Sequence, residues 1–232
     1  MADLHSAAIF DLDGTLIPHT SAEITFFFHM LKSGNLNAMN LLQMFPALWT
    51  AGGNLHNMTR ANKGYLRNKR VEELENAVRK YFEPRVKKIV FPRMLEIIEK
   101  HRVAGDKLLL LTGTLDLIAG CFIRELDFDG YKAATLEIVN GRYTGKIEGI
   151  LPFGMGKLEV LRELKSRFNL DMDKTTLYAN IFSDRYVMNA IQMPVAVNPD
   201  QKLRSYARRL NWKIIEVGRK KPFSAWLISL FR

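Results

Sequence analysis

The residues best suited to chemistry lie near the start of the chain, where Asp11 and Asp13 directly follow an apolar block at 7–10. Such a block predicts a buried strand that ends in a turn, and the two-residue period of a strand sends both carboxylates to one side. Gly14 permits a sharp turn after them. Two carboxylates this close are unfavourable unless a cation joins them, and hard oxygen ligands suit Mg²⁺. One carboxylate could attack phosphorus while the other transfers a proton to the leaving oxygen.

Other candidate residues follow later apolar runs. Thr112 and Gly113 come after the run at 108–111, and Lys157 stands near the start of a helical pattern. A phosphoryl group in transfer needs fixed donors and positive charge, which a hydroxyl, an ammonium and backbone N–H groups can supply. Taken singly, Thr112 is also typical of a turn and Lys157 of a helix surface. Their order and their position at strand ends favour phosphate binding.

The elements that must position these residues alternate along the chain. Short apolar strands are predicted at 7–10, 108–111, 176–179, 195–197 and 212–217, and helices at 115–126, 157–168 and 202–210. This pattern predicts an α/β fold, a Rossmann-like parallel sheet with helices on both faces, with ligands at the carboxyl ends of the strands. The stretch 134–149 contains Asn140-Gly141, a favoured turn of a β-hairpin.

A helical block interrupts this alternation after the first strand. Its apolar pattern predicts helices at 24–31, 36–49, 60–67 and 71–82 and no strand. We therefore divide the chain into a core of residues 1–18 and 93–232 and an all-helical cap of residues 19–92.

The motifs together resemble the haloacid-dehalogenase-like (HAD) superfamily, specifically subfamily IB, which includes phosphoserine phosphatase. The first family motif, DxDGT, matches residues 11–15, the second matches Thr112 and the third matches Lys157. The resemblance implies a Mg²⁺-dependent phosphatase that hydrolyses a small phosphomonoester through an aspartyl-phosphate on Asp11. Asp13 would be the general acid and base, with its backbone carbonyl also on the metal.

The fourth family motif, a pair of metal-binding acids, is altered in this chain. One alignment puts Asn180 at the first acid and Asp184 at the second, whereas another makes Asp184 the first acid with no acid at the second position. An amide oxygen can still bind Mg²⁺, but it lacks the negative charge, so we expect weakened metal affinity. The alternative function is a catalytically weakened member of the family that binds a phosphorylated ligand.

Charged residues of the cap indicate which substrate the site would accept. Arg60, Lys63, Arg67 and Arg70 recur at helical spacing and predict a cationic face, with an ordinary solvated surface as the alternative. A phosphoserine phosphatase would need a cap carboxylate for the substrate amine, and Glu23 is the only acid in residues 14–71. Phosphoserine is therefore not the predicted substrate.

Composition and charge exclude several classes of protein and indicate the kind of partner that this chain would bind. The composition, with 47% hydrophobic residues and one cysteine among 232, excludes disordered, collagen-like and disulfide-rich chains. The net charge of +10 is concentrated in residues 60–102 and 202–232, which favours an anionic partner. The segment 218–232, a basic cluster followed by apolar residues at helical spacing, predicts either peripheral membrane contact or docking on the core. Nucleic-acid binding is disfavoured, the five histidines lack the spacing of a zinc site, and a cytoplasmic location is expected.

Overall fold

The computed structural model describes residues 4–18, 21–43 and 63–218. Within these ranges the chain forms seven strands: β1 His5–Phe10, β2 Lys107–Leu115, β3 Gly130–Val139, β4 Arg142–Glu148, β5 Leu170–Ala179, β6 Met193–Val197 and β7 Lys213–Ile215. They make one sheet in the order β4-β3-β2-β1-β5-β6-β7. Only β4 is antiparallel to its neighbour, so the predicted α/β fold with a parallel core sheet is confirmed.

Helices connect the strands on both faces of the sheet. Those of the described residues are α1 Ala22–Lys32, α2 Ala38–Leu42, α3 Val71–Phe82, α4 Val86–Ile89, α5 Pro92–Val103, α6 Asp116–Leu126, α7 Met155–Phe168, α8 Arg185–Met188 and α9 Gln201–Arg209. The helices predicted at 71–82, 115–126, 157–168 and 202–210 are confirmed to within two residues at either end. Helix α5 was not anticipated from the sequence.

The central strands carry apolar runs at 7–10, 108–111 and 177–179 because both faces of the sheet are buried there. On β1, Ala8 and Phe10 belong to one hydrophobic cluster, and Ala7 and Ile9 belong to another on the opposite face. The first cluster includes residues of α1, α3, α5 and α6, and the second includes residues of α7, α8 and α9. This two-sided burial explains why the strands read as continuous apolar runs.

The helical insertion packs directly on the sheet. Phe26 of α1 and Phe82 of α3 lie in the same cluster as Phe10 of β1 and Phe122 of α6. The insertion therefore shares its hydrophobic core with the α/β part. The cap boundaries stay a prediction, because the structure describes this region only in part.

The helix predicted at 60–67 is wrong over its described part. Residues Gly64–Leu66 form a single 3₁₀ turn, and the chain there runs beside the hairpin of β3 and β4. The Lys63 N–H donates to the Gly145 carbonyl at 3.0 Å, and the Val71 N–H donates to Gly141 at 3.1 Å. Backbone bonds to the hairpin thus replace the expected helical ones. Of the helix predicted at 36–49, the described part contains the short helix α2, Ala38–Leu42, and residues 44–49 lie outside the described residues.

The predicted hairpin is confirmed. Asn140 and Gly141 both have positive φ, 50° and 71°, as its tight turn requires. Within the described part of the chain, no helix is long and apolar enough to span a bilayer.

Candidate active site

The predicted site residues converge at the carboxyl ends of β1, β2 and β5. They line a cavity of about 150 Å³, to which the core contributes Asp11, Asp13, Thr112, Gly113, Thr114, Leu151, Phe153, Lys157, Asn180 and Ile181, and the cap contributes Ser21, Glu23 and Lys63. Six of the seven site residues predicted from the sequence line this cavity. The seventh, Asp184, contacts the site through Lys157.

Lys157 joins the carboxylates at the base of the cavity. Its Nζ lies 2.6 Å from Asp11 Oδ1 and 3.1 Å from Asp184 Oδ1, and all three side chains are at least nine-tenths buried. Burial alone would lower the pKa of Lys157, but the two carboxylates outweigh it and raise the pKa above its usual value. The lysine therefore stays charged. The Thr15 hydroxyl also donates to Asp11, at 3.2 Å from Oδ2.

Asp13 lies where the core meets the cap. Gly14, with φ of 81°, turns the chain directly after it. Asp13 Oδ1 accepts the N–H of Ala22, the first residue of α1, at 2.8 Å, and Oδ2 accepts the Thr114 hydroxyl at 2.6 Å. Burial raises the pKa of Asp13 to about 6, although both hydrogen bonds act to lower it. A carboxyl with this pKa can both give and take a proton near neutral pH.

Thr112 is buried in the C-terminal half of β2, with the loop 151–153 close by. Its Oγ1 accepts the Thr114 N–H at 3.1 Å, which leaves the hydroxyl hydrogen available to another acceptor. At Gly113, a side chain would meet the Pro152 carbonyl at 3.3 Å. The loop therefore packs against the backbone of this strand end.

Asn180 follows β5 directly and is 3% exposed. Its Oδ1 is buried and has no hydrogen-bond partner among the described residues. Two backbone contacts hold this loop: the Asp200 N–H donates to the Asn180 carbonyl, and the Phe182 N–H donates to Asp200 Oδ2, both at 2.9 Å. The site therefore presents a fixed but unpartnered amide oxygen.

These oxygens fit a hard divalent cation. Within the described ranges, no three His, Cys, Asp or Glu side chains are grouped so as to hold a metal ion. Asp11, Asp13 and Asn180 line the same cavity, so the donors available to a cation there include two carboxylates and one amide oxygen. Oxygen donors of this kind match the preference of Mg²⁺, with one negative charge fewer than three carboxylates would give.

The predicted cationic face of the cap is wrong where the structure describes it. Lys63 is 1% exposed and forms an ion pair with Glu23, while Arg67 and Arg70 are exposed on a segment that is not helical. Arg60 lies outside the described residues. The cap therefore offers the cavity a buried ion pair in place of a basic surface.

Sequence reasoning missed the roles of Thr15, Thr114 and the pair of Glu23 with Lys63. Thr15 stands in the DLDGT motif, which could have indicated its role, and Thr114 is two residues after Thr112 on one strand, so the strand period could have indicated it. No local signal links Glu23 to Lys63, because 40 residues separate them.

The chain is similar in sequence to known hydrolases and phosphatases. A sequence model of the haloacid dehalogenase-like hydrolase family matches residues 8–189. The chain is 27% identical over 224 residues to phosphoserine phosphatase SerB1 of Mycobacterium tuberculosis, covering 91% of this chain and 71% of that protein. It is 24% identical over 220 residues to a histidinol-phosphatase of Neisseria meningitidis, covering 91% and 99%.

A solved structure shares the fold. The crystal structure of a protein of unknown function from Bordetella pertussis superposes with a TM-score of 0.79 at 22% identity, covering 93% of this chain and all of that one.

Proposed function

The chain belongs to the haloacid dehalogenase-like hydrolase family, and we propose that it is a Mg²⁺-dependent phosphatase that hydrolyses a small phosphomonoester through an aspartyl-phosphate on Asp11. The observation that carries this proposal is the contact of Lys157 with both Asp11 and Asp184, at 2.6 and 3.1 Å, in the wall of a cavity shared with Asp13 and Thr112. A nucleophile, a proton donor and phosphate-binding donors thus lie around one small volume.

In the first step, a carboxylate oxygen of Asp11 attacks the phosphorus of the ester. The bond from phosphorus to the alcohol oxygen breaks, and protonated Asp13 gives its proton to that oxygen. Lys157 and the Thr112 hydroxyl stabilise the negative charge on the phosphoryl oxygens.

In the second step, Asp13 acts as a base. It takes a proton from a water molecule, whose oxygen attacks phosphorus, and the bond from phosphorus to Asp11 breaks. Inorganic phosphate leaves, and both carboxyl groups return to their starting forms.

Asp11, Asp13 and Asn180 would hold Mg²⁺, and Asp184 is a further candidate ligand. When bound, the metal would supply positive charge that offsets the negative charge of the phosphate and the carboxylates.

The substrate alcohol is not fixed by family membership. The names of the relatives, phosphoserine phosphatase and histidinol-phosphatase, support the reaction class but differ in the alcohol. A panel of phosphorylated metabolites and lipids, assayed with Mg²⁺ and with EDTA, would identify it.

A second candidate function rests on Asn180. With one metal-binding charge removed, the protein would bind a phosphorylated ligand and turn it over slowly or not at all. Hydrolysis of para-nitrophenyl phosphate distinguishes the two functions: we expect activity with Mg²⁺ that is lost in EDTA and in Asp11→Asn. Absence of Mg²⁺-dependent turnover would favour the second function.

The Asn180→Asp variant tests the role of the amide. We expect it to lower the Mg²⁺ concentration that gives half-maximal activity by about tenfold, since one more charged oxygen strengthens binding of a hard cation. The control is Asn189→Asp, the same substitution at an exposed position outside the cavity. Equal activity and equal Mg²⁺ dependence in Asn180→Asp and the unmodified protein would contradict the proposed metal role of this position.

A further inference from the structure

Glu23 and Lys63 form a buried ion pair in the wall of the active-site cavity. Lys63 Nζ lies 2.5 Å from Glu23 Oε2, and the two side chains are 1% and 3% exposed. Glu23 comes from the first turn of α1, and Lys63 comes from the segment that runs beside the hairpin. The pair therefore joins two parts of the cap in the wall of the cavity that Asp11 and Asp13 also line.

Both oxygens of Glu23 are already engaged. The Tyr65 hydroxyl donates to Oε1 at 2.9 Å, while Oε2 contacts Lys63. Burial, together with the neighbouring Glu23 charge, raises the pKa of Tyr65 well above its usual value, so this hydroxyl keeps its proton and remains a donor. Glu23 thus has a cation and a hydrogen-bond donor supplied by the chain itself.

A substrate ammonium would find no unengaged carboxylate in this wall. Among the described lining residues the acids are Asp11, Asp13 and Glu23. Asp11 contacts Lys157 and reacts with phosphorus, and Asp13 accepts hydrogen bonds from Ala22 and Thr114. A second cation beside Lys63 would also be repelled, and a buried charge without a partner is strongly unfavourable.

From this arrangement we infer that the Glu23–Lys63 pair selects the alcohol of the substrate: it excludes phosphomonoesters that carry an ammonium near the phosphate and admits those with a neutral hydroxyl. This inference rests on the proposed phosphatase function. The Ser21 hydroxyl, on the same wall, is a polar group that suits such an alcohol. Lys63 already forms an ion pair with Glu23, the carboxylate to which the ammonium of an amino alcohol would have to bind.

Two matched esters test this inference. Ethanolamine phosphate and 2-hydroxyethyl phosphate differ only in an ammonium or a hydroxyl at the same position. Binding is measured by calorimetry, which does not require turnover, and kcat/KM is measured where turnover occurs. We expect the unmodified protein to bind the hydroxyl ester at least tenfold more tightly.

Two variants test whether the Glu23–Lys63 pair causes the preference for the hydroxyl ester. Lys63→Met should reverse it, because Glu23 becomes available to the substrate ammonium. The double variant Glu23→Gln with Lys63→Met removes both charges with little change in volume, and should bring the two affinities to within about threefold. If Lys63→Met does not fold, the inference is tested by comparing the two ester affinities of the unmodified protein with those of the double variant. Equal binding of the two esters by the unmodified protein, or an undiminished preference in the double variant, would overturn the inference.

Turnover of para-nitrophenyl phosphate separates this result from that of the proposed function. Turnover with equal binding of the esters contradicts the selectivity alone. Selective binding without turnover contradicts the phosphatase function and leaves the selectivity supported. Absence of both ester binding and turnover contradicts the two proposals together.

Discussion

At the scale of single residues, Asp13 is oriented by one group from the core and one from the cap. The Thr114 hydroxyl holds one carboxylate oxygen, and the N–H of Ala22 holds the other. A proton donor must keep its geometry relative to the leaving oxygen, so the loss of either contact should affect turnover more than folding.

We expect Thr114→Val, which removes the hydroxyl and keeps the shape, to lower kcat about tenfold, since proton transfer depends on the position of Asp13. The free energy of unfolding should fall by about 1 kcal/mol. Steady-state kinetics and denaturant unfolding measure the two effects.

Thr175→Val is the matched control. Thr175 is also fully buried, and its hydroxyl donates to the Asp171 carbonyl at 2.6 Å, outside the cavity. It should lose similar stability and keep its kcat. A Thr114→Val protein with normal kcat would show that this hydrogen bond does not orient Asp13 for catalysis.

At the scale of elements, the first turn of α7 determines where Lys157 lies. The preceding residue, Gly156, packs so closely against the loop before the helix that a Cβ would meet the Leu151 carbonyl oxygen at 2.1 Å. Backbone atoms cannot yield as a flexible side chain can. A residue larger than glycine must therefore shift the start of α7 or the loop, and Lys157 with it.

Gly156→Ala should lower the free energy of unfolding by about 1–3 kcal/mol, the usual cost of overpacking. It should also reduce kcat, because the ammonium moves relative to Asp11. Thermal or denaturant unfolding and steady-state kinetics measure these changes.

Gly120→Ala, in α6, is the comparison variant. A Cβ there would meet only the flexible end of Arg124, at 3.3 Å, and alanine favours a helix over glycine. Its stability should be unchanged or higher. Equal behaviour of the two variants would mean that the loop before α7 adapts without cost.

At the scale of the whole molecule, positive charge lies around the exit of the last described strand. Arg93 donates to the Glu216 carbonyl at 3.4 Å, and the exposed Arg85 and Lys88 line the same groove as Val217. In the sequence, three basic residues at 219–221 and an amphipathic apolar pattern at 223–231 follow. The predicted segment 218–232 lies outside the described residues except for Gly218, so its membrane contact stays a prediction.

We expect the protein to co-sediment with vesicles that contain anionic lipid and to do so less when residues 222–232 are deleted, since a basic amphipathic segment binds by apolar burial and by charge. Replacement of Trp226 and Leu230 by serine should have the same effect without changing the charge. Co-sedimentation that the deletion leaves unaffected would contradict membrane binding through this segment.

The motifs of the sequence indicated the family, and its apolar pattern determined the alternation of strands and helices and the positions of the candidate site residues. These follow from local rules: a two-sided buried strand reads as an apolar run, and in a parallel sheet the residues after successive strands meet at one edge. Asp11, Asp13, Thr112, Gly113, Lys157 and Asn180 could therefore be assigned to one cavity, which they line.

Only the tertiary structure decided what surrounds those side chains. The helical spacing of Lys63 with Arg67 and Arg70 predicted a basic face, but bonds to the hairpin prevent that helix, and Lys63 instead pairs with Glu23. Periodicity reports the neighbours of a residue along the chain and nothing about a partner 40 positions away. A buried charge takes whichever opposite charge the packing brings to it, so this contact becomes visible only when the whole chain is folded.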